Sequence, residues 1–148
     1  MKIEVGKANA RQAFDDILAR FPNLEFVESE GSENELDIKI IVQTGIQYEV
    51  WLSFQNDDEL HLGIGEFWGE WFPCTDIKVV NDYITAVAGC LDGGFRVIEH
   101  YRGTRCLKAE LQAPDNNDWS TVYTWSRLWL PFPWTSKVSK EVRNLNSF

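Results

Sequence analysis

The chain has 148 residues, 44% of them apolar, with a formal charge of −9, which suits one ordinary globular domain around a single core. Residues 1–80 hold 16 acids against 6 bases and residues 81–148 hold 7 against 8, so a half at −10 precedes a half at +1. A chain so charged repels phosphate backbones, nothing in it nears the roughly 20 apolar residues that cross a bilayer, and its N-terminus lacks an apolar leader. The expectation is a cytoplasmic protein that binds neither nucleic acid directly nor membrane.

In chain order, residues 9–21 set Ala10, Phe14, Ile17, Leu18 and Phe21 on one helical face, with Asn9 placed as N-cap and Pro22 as the stop. Four strands are predicted next, at about 24–30, 35–43, 47–55 and 59–67, separated by "GSEN", "TG" and "NDD". Connections this short imply antiparallel neighbours, and a meander is the simplest arrangement. Thr75 or Asp76 caps a second helix striped with Ile77, Val80, Ile84, Val87 and Leu91, and Gly93 and Gly94 close it. Two strands, "FRVIEHYR" and "RCLKAELQA", turn at Gly103; "PDNND" is a loop, and "WSTVYTWSRLWL" reads as a last long strand. After "PFPW", Ser136 is placed to cap a short helix carrying Val138, Val142 and Leu145. The sum is a single α+β domain over residues 1–148, a largely antiparallel sheet of about seven strands with two or three helices packed on one face.

Known chemical signatures are missing: there is no Gly-rich phosphate loop, no G-x-S-x-G, no H-E-x-x-H and no EF-hand loop. No cofactor and no metal are therefore expected. Cys74, Cys90 and Cys106 form no C-x-x-C pair and read as buried thiols, although Cys74 lies beside a helix N-terminus that would lower a thiol pKa. His61 lies close in sequence to Asp57, Asp58, Glu59 and Glu66, and His100 adjoins Glu99; both read as structural histidines, His61 on the less apolar face of its strand. In "GIGEFWGEWFP", Gly63 to Pro73, pleat parity sets Ile64, Glu66 and Trp68 opposite Gly65, Phe67 and Gly69. The stretch is expected to be a strand-to-helix corner where Trp68, Trp71 and Phe72 close the core, leaving Glu66 and Glu70 unexplained by packing. His61, Glu66, Trp68, Glu70, Trp71 and His100 are accordingly the candidates for a pocket or second site.

The acids cluster. Glu28, Glu30, Glu33, Glu35 and Asp37 surround one predicted turn, and Asp57, Asp58 and Glu59 another. A meander puts both turns at one end of the sheet, making a negative rim that steers a cationic partner. Glu30, Glu33, Glu35, Asp37, Asp57, Asp58 and Glu59 are the candidate partner-binding residues, the plainer reading being a solvated loop pair. Seven tryptophans are the other unusual feature. Trp119, Thr121, Tyr123, Trp125, Arg127 and Trp129 share one face of the last strand, opposite Ser120, Val122, Thr124, Ser126, Leu128 and Leu130. The tryptophan face is expected to turn inward; turned outward, it would offer an aromatic strip for homo-oligomer formation or as a ligand platform.

With "HLGIGEFWGEWFP", "FRVIEHYRGTR" and the closing "LPFPW" and "VRNL" as its most suggestive segments, this acidic, aromatic-rich chain resembles the small immunity proteins of bacterial polymorphic and contact-dependent toxin systems. The resemblance implies a non-enzymatic inhibitor that binds a basic toxin or nuclease domain and occludes its active site. The acidic turns around Glu33 and Asp57 would be the contact surface. Two other classes stand beside it: a small-molecule binding module with an aromatic-lined pocket near Trp68, Trp71 and Trp125, and a hydrolase-type enzyme using His61 with Glu66 or Glu70, or His100 with Glu99.

Overall fold

A computed structural model of the chain describes residues 2–29, 36–126 and 138–145. The elements are α1 (Lys2–Arg20), β1 (Phe26–Ser29), β2 (Leu36–Ile40), β3 (Val50–Gln55), β4 (Glu59–Ile64), β5 (Phe67–Trp71), α2 (Ile77–Asp92), β6 (Arg96–Arg102), β7 (Arg105–Asp115), β8 (Asp118–Ser126) and β9 (Val138–Val142). The fold is α+β, with nine strands among the described residues, in two antiparallel sheets ordered β1-β2-β3-β4-β5 and β8-β7-β6-β9 rather than about seven strands in one sheet. The expected meander is the first of them.

Alternation builds the core. Leu36, Ile38 and Ile40, then Val50, Leu52 and Phe54, then Leu60, Leu62 and Ile64 are all buried on one face of the first sheet. Against that face α1 packs Ala10, Ala13, Phe14 and Ile17, and α2 packs Val80, Tyr83, Ile84, Val87 and Leu91. The Tyr83 hydroxyl donates to the His61 carbonyl at 2.7 Å, tying α2 to the middle of β4. Asp76 is the N-cap of α2, accepting from the Lys78 N–H, and Gly93 closes the helix in the left-handed region at φ 79°. Ile77, expected in the buried stripe, is 71% exposed, because it borders an open groove between α1 and α2 beside Asn9 and Gln12.

The second sheet joins the same core through Val97, Ala109, Leu111 and Val142. At the seam the Tyr123 ring of β8 sits edge-on to Phe67 at 5.7 Å and beside Trp71 at 5.0 Å. Asn144, fully buried, donates to the Tyr48 and Cys90 carbonyls and accepts from the Tyr48 N–H, so it holds the region after β9 to both the segment leading into β3 and α2.

Five local expectations are corrected. Helix α1 begins at Lys2, so Asn9 is not its cap; the Asn9 amide instead donates to the Cys74 carbonyl at 3.0 Å. Residues 59–67 are not one strand: Ile64 pairs with Phe67 across a two-residue turn at Gly65 and Glu66, and Gly65 has the positive φ, 57°, that this position in a tight hairpin favours. "PDNND" is mostly strand, with Asn116 and Asn117 alone forming the turn between β7 and β8, both at positive φ. Residues 138–142 are a strand paired to β6, not a helix, since β6 has an edge to satisfy. A register shift between Leu111 and Gln112 leaves Val122 as an extra residue on β8. That bulge divides the aromatic face: Tyr123 and Trp125 pack on the core, whereas Trp119 stacks with Arg96 at 4.3 Å and Arg143 at 5.1 Å. Arg127, Leu128, Trp129, Leu130 and the "PFPW" segment lie outside the described residues.

Candidate functional site

The face of the first sheet opposite the helices gathers five of the thirteen candidate residues. Direct cross-strand pairing lines up Ser29, Asp37, Ser53, His61 and Glu70 in one row across β1 to β5, and Val27, Lys39, Trp51, Gly63 and Trp68 in the next. Glu59, two residues before His61, projects from the same side. The Ser53 hydroxyl donates to Asp37 at 2.5 Å, and the Gln55 amide donates to Ser53 at 2.9 Å. In the second row Lys39 sits 5.0 Å over the Trp51 ring, which is 43% exposed.

His61 is buried in the middle of this face, with both ring nitrogens engaged. The Trp68 indole N–H donates to Nδ1 at 2.8 Å, which puts the imidazole proton on Nε2, where Glu59 lies at 3.1 Å. Trp68 reaches His61 because Gly63 has no side chain: a Cβ there would come within 2.6 Å of the indole ring. One donor atom from each of Glu59, His61 and Glu70 lies within 4.8 Å of the others, the donor count of a metal site. The tautomer opposes that use, because a cation would have to displace both the Nε2 proton and the Trp68 hydrogen bond. It equally leaves His61 without a free lone pair for general-base work.

The sequence-derived candidates fall in several places. Asp37, Glu59, His61, Trp68 and Glu70 come together on this face. Asp57, exposed, and Asp58 lie in the turn at its end, held there by the Cys74 N–H donating to the Asp58 carbonyl at 2.9 Å. Glu28 of the same rim is ion-paired with Arg11. Glu30, Glu33 and Glu35 lie outside the described residues. Trp68 is not a core closer but part of the outer face, Trp71 alone of the expected trio packs inward, and Phe72 is 58% exposed. The hairpin turn explains this, since it restarts strand parity at Phe67. A pocket shared by Trp68, Trp71 and Trp125 therefore does not form.

Glu66 and the second histidine pair differently from expectation. Glu66 sits at the hairpin tip with its N–H donated at 2.6 Å to Glu99, a buried carboxylate on β6 that also accepts from the Tyr101 hydroxyl at 2.7 Å. Burial first, then the hydrogen bond to Glu99, raises the Tyr101 pKa. Glu99 points into the core and cannot reach His100, which faces outward and pairs with Glu110 at 2.9 Å. Cys74 is likewise no activated thiol: burial first, then the nearby Asp58 charge, raises its pKa despite the adjacent helix N-terminus.

No local pattern in the sequence marks Ser53, Trp51 or Glu110, because only strand register brings them beside the candidates. The restart of alternation after Gly65 was the available signal for the hairpin. Among the described residues, no helix is long and apolar enough to cross a membrane. Comparison with protein-family models, curated proteins and solved structures found no match to this chain.

Proposed function

We propose that this chain acts by binding, as an acidic, non-enzymatic inhibitor of the immunity type that docks a basic protein domain, such as a toxin or nuclease domain, on the outer face of the five-stranded sheet and covers its active site. The observation that carries this reading is the convergence of Asp37, Glu59 and Glu70 on one open face beside the exposed Trp51, with Asp57 and Asp58 at its rim. Carboxylates grouped this way steer a cationic partner, and a Trp at the centre of such a patch supplies contact area that charge alone does not. The occupied nitrogens of His61 favour binding over turnover at this face.

A groove of about 310 Å³ between α2 and β8, lined by Trp71, Asp82, Thr85, Ala86, Phe95 and Val122, supports the second reading, a small-molecule module. It lies at the lower end of ligand-pocket volumes and is shallower in chemistry than the sheet face, with one carboxylate at its mouth.

The test is capture of the partner from the source cell, followed by titration against the parent chain and the double variant Asp57→Lys/Glu70→Lys. Tight, salt-weakened binding by the parent and a loss of at least about tenfold in the variant are expected, with Asp118→Lys as the control. Binding that ignores both salt and the double substitution would sink the proposal, as would failure of the parent chain to protect cells against the toxin it captures.

A further inference from the structure

Among the described residues, helices pack on one face only of the five-stranded sheet. The other face carries two rows of contrasting chemistry that run across the strands. In the first row, Val27, Lys39, Trp51, Gly63 and Trp68 are direct cross-strand neighbours from β1 to β5. Val27 is 54% and Trp51 43% exposed, so this row keeps apolar surface in water. Lys39 adds an aliphatic stem, with its ammonium 5.0 Å over the Trp51 ring, and the Trp68 ring covers Gly63.

The adjoining row supplies Asp37 on β2 and Glu70 on β5, and Glu59 on β4 stands one strand repeat beyond it. No Lys or Arg among the described residues forms an ion pair with any of the three. The face therefore offers uncompensated negative charge alongside an apolar strip. The spacing of the rows selects the shape that fits them. Strands lie about 4.8 Å apart, and positions two residues along a strand are about 7 Å apart. An extended segment turns alternate side chains away and fills one row only. A helix is about 10 Å across with its side chains, so one helix reaches both rows. Helix residues seven apart span about 10.5 Å, close to the two strand spacings that separate Val27 from Trp51 and Asp37 from Glu59.

We infer that this face seats an amphipathic α-helix of the basic partner, lying across the strands. Its apolar flank covers Val27, Trp51 and Trp68, and its Lys or Arg flank meets Asp37, Glu59 and Glu70. The inference rests on the proposed docking of a basic protein on this face and adds which part of that protein makes the contact. A helix that is cationic all round leaves the apolar row unmatched, and one that is apolar all round leaves the carboxylates without counter-charge.

A phage-displayed library of random peptides of about 15 residues, a length that crosses all five strands as a helix, is selected on the full chain. Recovered peptides are expected to carry Leu, Ile, Met or Phe at i, i+3 or i+4, and i+7, with Lys or Arg on the adjoining flank. Once synthesised, they should gain helical circular dichroism on binding. Their affinity should fall at least about tenfold with Trp51→Ser and with Glu70→Lys, each checked for a parent-like unfolding midpoint, and hold with Asp118→Lys. Basic peptides that bind this face with no helical spacing and no gain of helicity overturn the helix and leave the basic partner standing. Affinity unchanged by both substitutions overturns the helix and the docking face together, as does a selection that enriches no basic peptide.

Discussion

Gly63 has no side chain, and the Trp68 ring occupies the place where one would be. Adding a methyl there pushes the indole off β4 and breaks its hydrogen bond to His61, leaving a buried ring nitrogen unpaired. Gly63→Ala is expected to lower stability by about 1–3 kcal/mol, read from urea unfolding, and to shift tryptophan emission as the indole leaves its site. A substitution with neither effect would show that Trp68 is held by something else. Asn144 works by its hydrogen bonds rather than its bulk. It serves three backbone groups of half-buried Tyr48 and buried Cys90, so Asn144→Ala should cost about 2–3 kcal/mol, more than the exposed control Asn81→Ala. Equal midpoints for the two variants would contradict the role assigned to Asn144.

Strand β9 shows how one spacing can satisfy two elements. Val138 and Val142 are separated by four residues, which is about one helical turn and also two strand repeats, so the pattern by itself favours neither. The edge of β6 decides, because its backbone groups pair with residues 138–142. The outer face of these strands also carries an acid-sensitive pair. Burial works against the charge on Glu110, but the hydrogen bond from His100 and the charges of Lys108 and His100 outweigh it and hold the carboxyl below its ordinary value. A depressed pKa contributes stability that is present above the unfolded value, near 4.3, and is lost as pH falls through the lower folded value. Glu110→Gln should therefore be less stable than the parent at pH 7, and the gap should close as denaturation curves are taken to pH 3 and below. A gap that is constant with pH would mean that Glu110 contributes packing and not charge.

Charge and thiol burial act on the molecule as a whole. Most of the acidic excess belongs to the half that forms α1 and the first sheet, and on that sheet Asp37, Glu59 and Glu70 stand on the face away from both helices. All three cysteines are buried, and none is in a disulfide. Burial is the first cause that raises each thiol, with Asp58, Asp92 and Glu99 adding at Cys74, Cys90 and Cys106, and Cys90 is pushed up to about 12. The folded chain should therefore be silent to Ellman's reagent at pH 7.5 and yield three thiols in denaturant; rapid reaction of the folded chain would contradict the packing. A raised pKa contributes stability that is complete below the unfolded thiol value, about 8.5, and fades as pH rises toward the folded value, so unfolding should become easier in alkali.

How much of this was legible follows from how far apart the interacting residues lie. Alternation in residues 36–64, the stripe of α2, the Asp76 cap and the Gly93 stop are rules between near neighbours, so the α+β class, the meander and the faces of both helices could be read in advance. The acids and His61 were marked as well, but as two separate groups; the register of β2 to β5 made them one face. The two-residue turn at Gly65 and the bulge at Val122 reset which side a residue faces, so that Trp68 and Trp119 changed sides, and the pairing of residues 138–142 brought Ser139 opposite His100. Residue type and spacing thus settle which elements form and which of their faces is apolar. Which polar groups meet is decided only when strands pair, because hydrogen-bond register joins residues such as Asp37 and Ser53, or Ser139 and His100, that no local rule connects.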